Sequence, residues 1–135
     1  MPQCLLGTAR TGWHDAREDR GIQVDIKFEP LPSGVTMIVL EGRMDVMGAM
    51  KIDVQFAAVA AANRAVVVDL GAVDFMASMG LRTLIMGAKS MHSKSGRMVL
   101  YRPNAVVEEV LVTSGTTTLI PVTHDLVEAE TRALG

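Results

Sequence analysis

A chain of 135 residues has room for one domain with a full hydrophobic core, and its 13 basic and 15 acidic residues leave a net charge of −2, so no basic surplus points to nucleic acid. It is 49% hydrophobic but only 4% aromatic, which leaves the core to Val, Leu, Ile, Ala and Met. The single cysteine, Cys4, excludes an intrachain disulfide and brings no metal cluster, and no apolar run reaches the roughly 18 residues of a membrane-spanning helix. The start lacks a basic stretch leading into an apolar core, so the expectation is a cytoplasmic protein without membrane insertion.

Residues 1–20 read as a flexible N-terminal segment ahead of a domain over 21–135. Gly7, Gly12 and the polar run His14, Asp15, Ala16, Arg17, Glu18, Asp19, Arg20 break any strand pattern, and chain ends are ordered only when tied down. Trp13 is the residue there with the strongest tendency to bury, on the domain or on a partner. From Ile22 the pattern alternates. Ile22, Val24, Ile26 and Phe28 point one way and Gln23, Asp25 and Lys27 the other, which predicts a half-buried strand. Pro30, Pro32, Ser33 and Gly34 make a turn into a second strand over 35–40, antiparallel to the first. Asp45 then stands where a helix N-cap belongs. The helix predicted over 46–62 has an apolar stripe of Val46, Met50, Val54, Ala57 and Ala61, broadened by Ile52, Phe56 and Val59, and Asn63 ends it.

Val66, Val67 and Val68 open a buried strand over 66–70, and Asp69 begins a small-residue turn. From Leu81 the period changes: Leu81, Leu84, Ile85, Ala88 and Met91 share one helix face. Ser78 therefore sits at a strand-to-helix junction, where the first backbone N–H groups lack intrahelical acceptors and the dipole end is positive. A serine there can cap the helix, and a phosphate there would meet the same donors. The helix runs to about residue 93 and closes through Lys94, Ser95 and Gly96, with Gly96 as the left-handed residue after it. A strand over 98–101 follows. Pro103 opens a helix that buries Val106, Val107, Val110 and Leu111, and Gly115 ends it. A short last strand over 117–122 and a closing helix over 125–133 complete the order β-β-α-β-α-β-α-β-α. That order predicts a single α/β domain with a mixed, mostly parallel sheet and about four helices.

The run Asp69-Leu70-Gly71-Ala72-Val73-Asp74-Phe75-Met76-Ala77-Ser78-Met79-Gly80-Leu81 resembles the signature of STAS domains, the family of bacterial anti-sigma factor antagonists, and the element order matches that fold. The resemblance covers residues 22–133. In that family an acidic-serine-small-glycine turn opens the helix after the buried strand, and the serine is phosphorylated by an anti-sigma factor that is also a protein kinase. By position that serine is Ser78, and Gly80 is kept, while Ala77 replaces the acidic residue and Met79 the small polar one. Gly42-Arg43-Met44-Asp45 resembles the family's Gly-x-x-Asp turn, whose aspartate lies beside the phosphorylatable serine, and that role falls to Asp45. Residues 106–115 resemble the third helix, with Thr116 where the family has an apolar residue. The resemblance implies a phosphorylation-switched module of transcription regulation. Its partner would be a kinase-type anti-sigma factor, met through Asp45, Met44, Met47, Ala77, Met79 and Gly80. No cofactor is implied, and self-association as a homodimer stays open.

Other chemistry is weakly signalled. Gly80 and Gly87-Ala88-Lys89-Ser90 lack the spacing of a phosphate-binding loop. His14, His92 and His124 share no metal-ligand spacing. Asp69 and Asp74 read as turn residues more readily than as an acid–base pair. The expectation is a protein that is not an enzyme. A constitutive STAS interaction or scaffold subunit of a transporter or signalling complex, with Ser78 as a mere cap, is the alternative, and Ala77 and Met79 lean towards it. Met44, Met47, Met76 and Met79 cluster at the two helix-start turns. Met76 is expected to pack inward and Met79 to be partly exposed, as an adaptable apolar docking surface.

Overall fold

The computed structural model of the chain describes residues 24–135. The N-terminal segment, with Cys4, Trp13 and His14, and the predicted strand start at Ile22 lie outside the described residues. The described elements are β1 (Val24–Pro30), β2 (Thr36–Met44), α1 (Val46–Ala62), β3 (Ala65–Met76), α2 (Ser78–His92), β4 (Arg97–Tyr101), α3 (Ala105–Thr113), a 3₁₀ turn (Thr116–Thr118), β5 (Val122–Thr123) and α4 (Leu126–Leu134). The sheet order is β1-β2-β3-β4-β5, with β1 antiparallel to β2 and the remaining pairs parallel. Because the order never reverses, right-handed crossovers place α1, α2 and α3 on one face. Ile52, Phe56, Leu84, Met91, Val107 and Leu111 pack there against Ile38, Val66, Val68 and Leu70. The other face, with Met37, Val67 and Val99, is covered by Ala129 and Ala133 of α4.

Several local expectations need correction. The small-residue stretch after Asp69 is not a turn: β3 continues to Met76, and its second half pairs with β2 through register shifts between Val39 and Glu41 and between Gly42 and Arg43. Such bulges keep a strand paired while re-aiming its side chains. Asp69 is buried, and both carboxylate oxygens accept from Arg102, from Nε at 2.9 Å and from a terminal nitrogen at 3.0 Å. The Gly71 amide donates to the same carboxylate at 2.9 Å. This pairing raises the Arg102 pKa, and Arg102 stands at φ 46°, a left-handed backbone that non-glycine residues rarely adopt.

In α1 the buried residues are Gly48, Ala49, Ile52, Phe56 and Ala60, while Val46, Met50 and Val54 are exposed. After α2 the left-handed residue is Ser95, not Gly96. Gly96 is there for close approach, since a Cβ would stand 3.0 Å from the carbonyls of Arg64 and Met91. Pro103 precedes α3, whose N-cap is Asn104: Oδ1 accepts from the Val107 amide at 2.8 Å and Nδ2 donates to the Val73 carbonyl at 2.9 Å. The predicted last strand shrinks to two residues behind the 3₁₀ turn. Thr116 is buried, and its hydroxyl pairs with the Ser114 hydroxyl at 2.8 Å.

Candidate partner-binding site

Two parallel neighbours, β2 and β3, end side by side, with Arg43 opposite Phe75 and Met44 opposite Met76. Each runs straight into a helix, so the N-termini of α1 and α2 emerge together at one end of the sheet. The Ala77 amide donates to the Met44 carbonyl at 2.8 Å and ties the two turns. This end therefore presents the carboxyl ends of two parallel strands together with the N-termini of two helices.

At the first turn, Asp45 is the N-cap of α1, its Oδ1 accepting from the Gly48 amide at 2.8 Å. Its other oxygen lies 3.5 Å from Arg43 Nε, and the Arg43 guanidinium stands 4.5 Å from the centre of the Phe75 ring. At the second turn the cap position belongs to Ala77, with no side-chain hydrogen bond to the helix, and Ser78 is the first helical residue. Ser78 is exposed, and among the described residues its hydroxyl has no hydrogen-bond partner. The Met79 and Gly80 amides precede the first intrahelical bond, from the Leu81 amide to the Ala77 carbonyl at 3.1 Å. That turn thus offers backbone donors and a positive dipole end beside an unengaged hydroxyl.

The methionines divide. Met44 is fully buried and Met76 3% exposed, both in the core. Met44 is therefore withdrawn as a docking residue, because its side chain fills the space under the two turns. Gly80 is buried too, and a Cβ there would stand 2.6 Å from Met76 Sδ. It lets α2 sit close to the strand ends and presents no side chain to a partner. Met47 is 52% exposed, and Met79 is half-buried against the core. Ala77, Met79 and Asp45 remain partly accessible around the exposed Ser78. Sequence reasoning missed Arg43 and Phe75, which only the strand register brings together, and the outward Val46 and Met50 that extend the apolar surface along α1. It also missed Thr83, buried between α1 and α2, whose hydroxyl donates to the Met79 carbonyl at 3.1 Å and lies 3.4 Å from Asp53. Elsewhere, His124 meets Glu108 at 2.9 Å, Asp74 is exposed on β3, and Lys89 lies in the last turns of α2. Among the described residues no cluster of His, Cys, Asp or Glu could hold a metal, and no helix is long and apolar enough to cross a membrane.

Comparison with known proteins accords with this architecture. The family model described as Mlab, STAS domain matches residues 29–122. The chain is 33% identical over 92 residues to BtrV of Bordetella bronchiseptica, whose name places it among anti-sigma factor antagonists; the match covers 67% of this chain and 79% of that protein. The crystal structure of an anti-sigma factor antagonist from Mycobacterium paratuberculosis superposes with a TM-score of 0.74 at 23% identity, covering 83% of this chain and 95% of that one. The phosphorylated form of the Bacillus cell fate determinant SpoIIAA superposes with a TM-score of 0.59 at 17% identity, covering 75% and 93%. With the family model spanning more than half of its length and the sheet order and helix placement in agreement, the chain belongs to the STAS domain family, in the form found among anti-sigma factor antagonists.

Proposed function

We propose that the chain is a phosphorylation-switched antagonist that docks a kinase-type anti-sigma factor at the paired starts of α1 and α2, with Ser78 as the modified residue. It acts by binding and not as an enzyme, in the cytoplasm, in the regulation of transcription. The observation that carries this reading is the exposed Ser78 hydroxyl at the first position of α2, while the capping position is Ala77. A serine retained only as a cap would occupy that position and accept from the helix amides. The description of SpoIIAA as existing in unphosphorylated and phosphorylated forms supports the same switch here.

A phosphate adds about −1.5 to −2 charges at neutral pH, which the start of α2 tolerates through its amides and dipole. An interface fitted to a neutral hydroxyl beside Met79 does not tolerate it, because the charge must be desolvated against apolar groups. The test uses wild type, Ser78→Ala and Ser78→Asp as baits for a kinase-type anti-sigma factor, with phosphate mapped by mass spectrometry. Wild type and Ser78→Ala should bind, Ser78→Asp should not, and phosphate should appear on Ser78 alone. Equal binding of Ser78→Asp, or phosphate elsewhere, overturns the switch.

A further inference from the structure

At the other end of α2 lies a groove of about 770 Å³, bounded by the C-terminal half of α2, the start of β4, the 3₁₀ turn and the end of α4. Its volume falls in the roughly 300–1,000 Å³ of small-molecule sites. It exists because β5 is short. Only Leu100 and Tyr101 of β4 have partners in β5, and Pro121, which has no N–H, cannot extend the ladder back towards Met98. Residues with apolar side chains line the opened space, Ile85 from α2, Met98 from β4, Leu119 and Pro121 from the crossing loop, and Leu119 is left 60% exposed.

Lys89, Arg97 and Arg132 bring positive charge to the rim, Gly135 lies beside Arg97, and among the described residues no Asp or Glu lines the groove. Arg132 is paired outside it with Glu128 at 3.0 Å. Lys89 and Arg97 have no acidic partner among the described residues. Unneutralised cations beside low-dielectric walls concentrate an anion. Among the described residues no Phe, Tyr or Trp lines the groove, so they give a nucleotide base no stacking platform. Aliphatic walls under a cationic rim match an alkyl chain that ends in a carboxylate.

We propose that this groove binds an unbranched fatty acid, the chain lying against Ile85, Met98 and Leu119 and the carboxylate held at the rim by Lys89 and Arg97. The site is separate from Ser78, 11 residues earlier in the same helix and so roughly 16 Å away along its axis.

The test titrates the full chain by calorimetry with sodium laurate and with dodecyltrimethylammonium, each below its micelle concentration. The two probes have alkyl chains that differ by a single methylene and opposite charge. Laurate should bind saturably at one site, and the cationic twin at least about tenfold more weakly. Lys89→Gln combined with Arg97→Gln should weaken laurate by about fivefold, the loss of two exposed charge contacts. Leu119→Asp should weaken it further, and Ser78→Asp should leave it unchanged. All of these positions are exposed, and circular dichroism checks that each variant folds. Absence of saturable laurate binding, equal binding of the two probes, or unchanged affinity in the Lys89 and Arg97 double variant overturns the assignment.

Discussion

Replacing Gly80 with alanine tests whether the two helix starts are as tightly joined as their geometry shows. Helix propensity alone favours alanine over glycine by up to about 1 kcal/mol. Here an added Cβ would stand 2.6 Å from Met76 Sδ and 3.1 Å from both Cβ and the carbonyl oxygen of Met44. Met76 can turn its sulfur only at the expense of neighbours, because it is 3% exposed. The Met44 carbonyl cannot turn at all without breaking its bond from the Ala77 amide. Overpacking of this kind costs about 1–3 kcal/mol. The net expectation for Gly80→Ala is a loss of about 1–2 kcal/mol, or roughly 4–8 °C in Tm for a domain of this size. Urea unfolding followed by far-ultraviolet circular dichroism should show the midpoint falling by about 0.5–1 M with an unchanged slope. In a Met76→Ala background the same substitution should cost about 1 kcal/mol less, because one of the crowded atoms is gone. A Gly80→Ala protein as stable as wild type, or more so, would refute the close packing of α2 on the strand ends.

Three further outcomes are expected. Asp45→Ala should cost about 1 kcal/mol through loss of the cap on Gly48, and Asp45→Ser should recover most of it while binding of the partner stays weakened; equal unfolding midpoints for the two variants would assign the effect to Arg43 instead. Arg102→Ala should cost about 1–3 kcal/mol in thermal unfolding because it leaves the buried Asp69 carboxylate with little more than the Gly71 amide. Since the folded-state pKa of Arg102 is raised, its contribution is fully present below the ordinary arginine value and is lost only above it, so the deficit should not vary with pH near neutrality. Met79→Ser should weaken partner binding and make it more sensitive to ionic strength, whereas unchanged affinity at low and high salt in a folded variant would make Met79 a packing residue.

The sequence was readable where one signal dominated. Asp45 caps its helix because a short acceptor ahead of an apolar run has few other uses. The face of α2 was legible because Leu81, Leu84 and Met91 alternate with Arg82, Lys89 and His92. The face of α1 was not. Apolar residues surround that helix, so periodicity alone does not choose between the Val46, Met50 and Val54 stripe and the Ile52, Phe56 and Ala60 stripe. Packing decides for the second, which brings the bulky Phe56 ring to the sheet. The length of β3 was hidden because Gly71 and Ala72 look like turn formers, while the pairing that keeps them extended comes from β2, some thirty residues earlier in the chain. Within the candidate site, the serine and the aspartate were legible by position. The burial of Met44 and Gly80 was not, because it depends on how closely two strand ends lie.

Asn104 has a consequence for how motion spreads through the domain. One amide side chain fastens both the first turn of α3, through the Val107 amide, and the outer half of β3, through the Val73 carbonyl. Neither can loosen without releasing the other, so the start of α3 and the strand that delivers Ser78 open as one cooperative unit. A distant amide thereby becomes a reporter. Any event that displaces the end of β3 should speed hydrogen exchange at Val107.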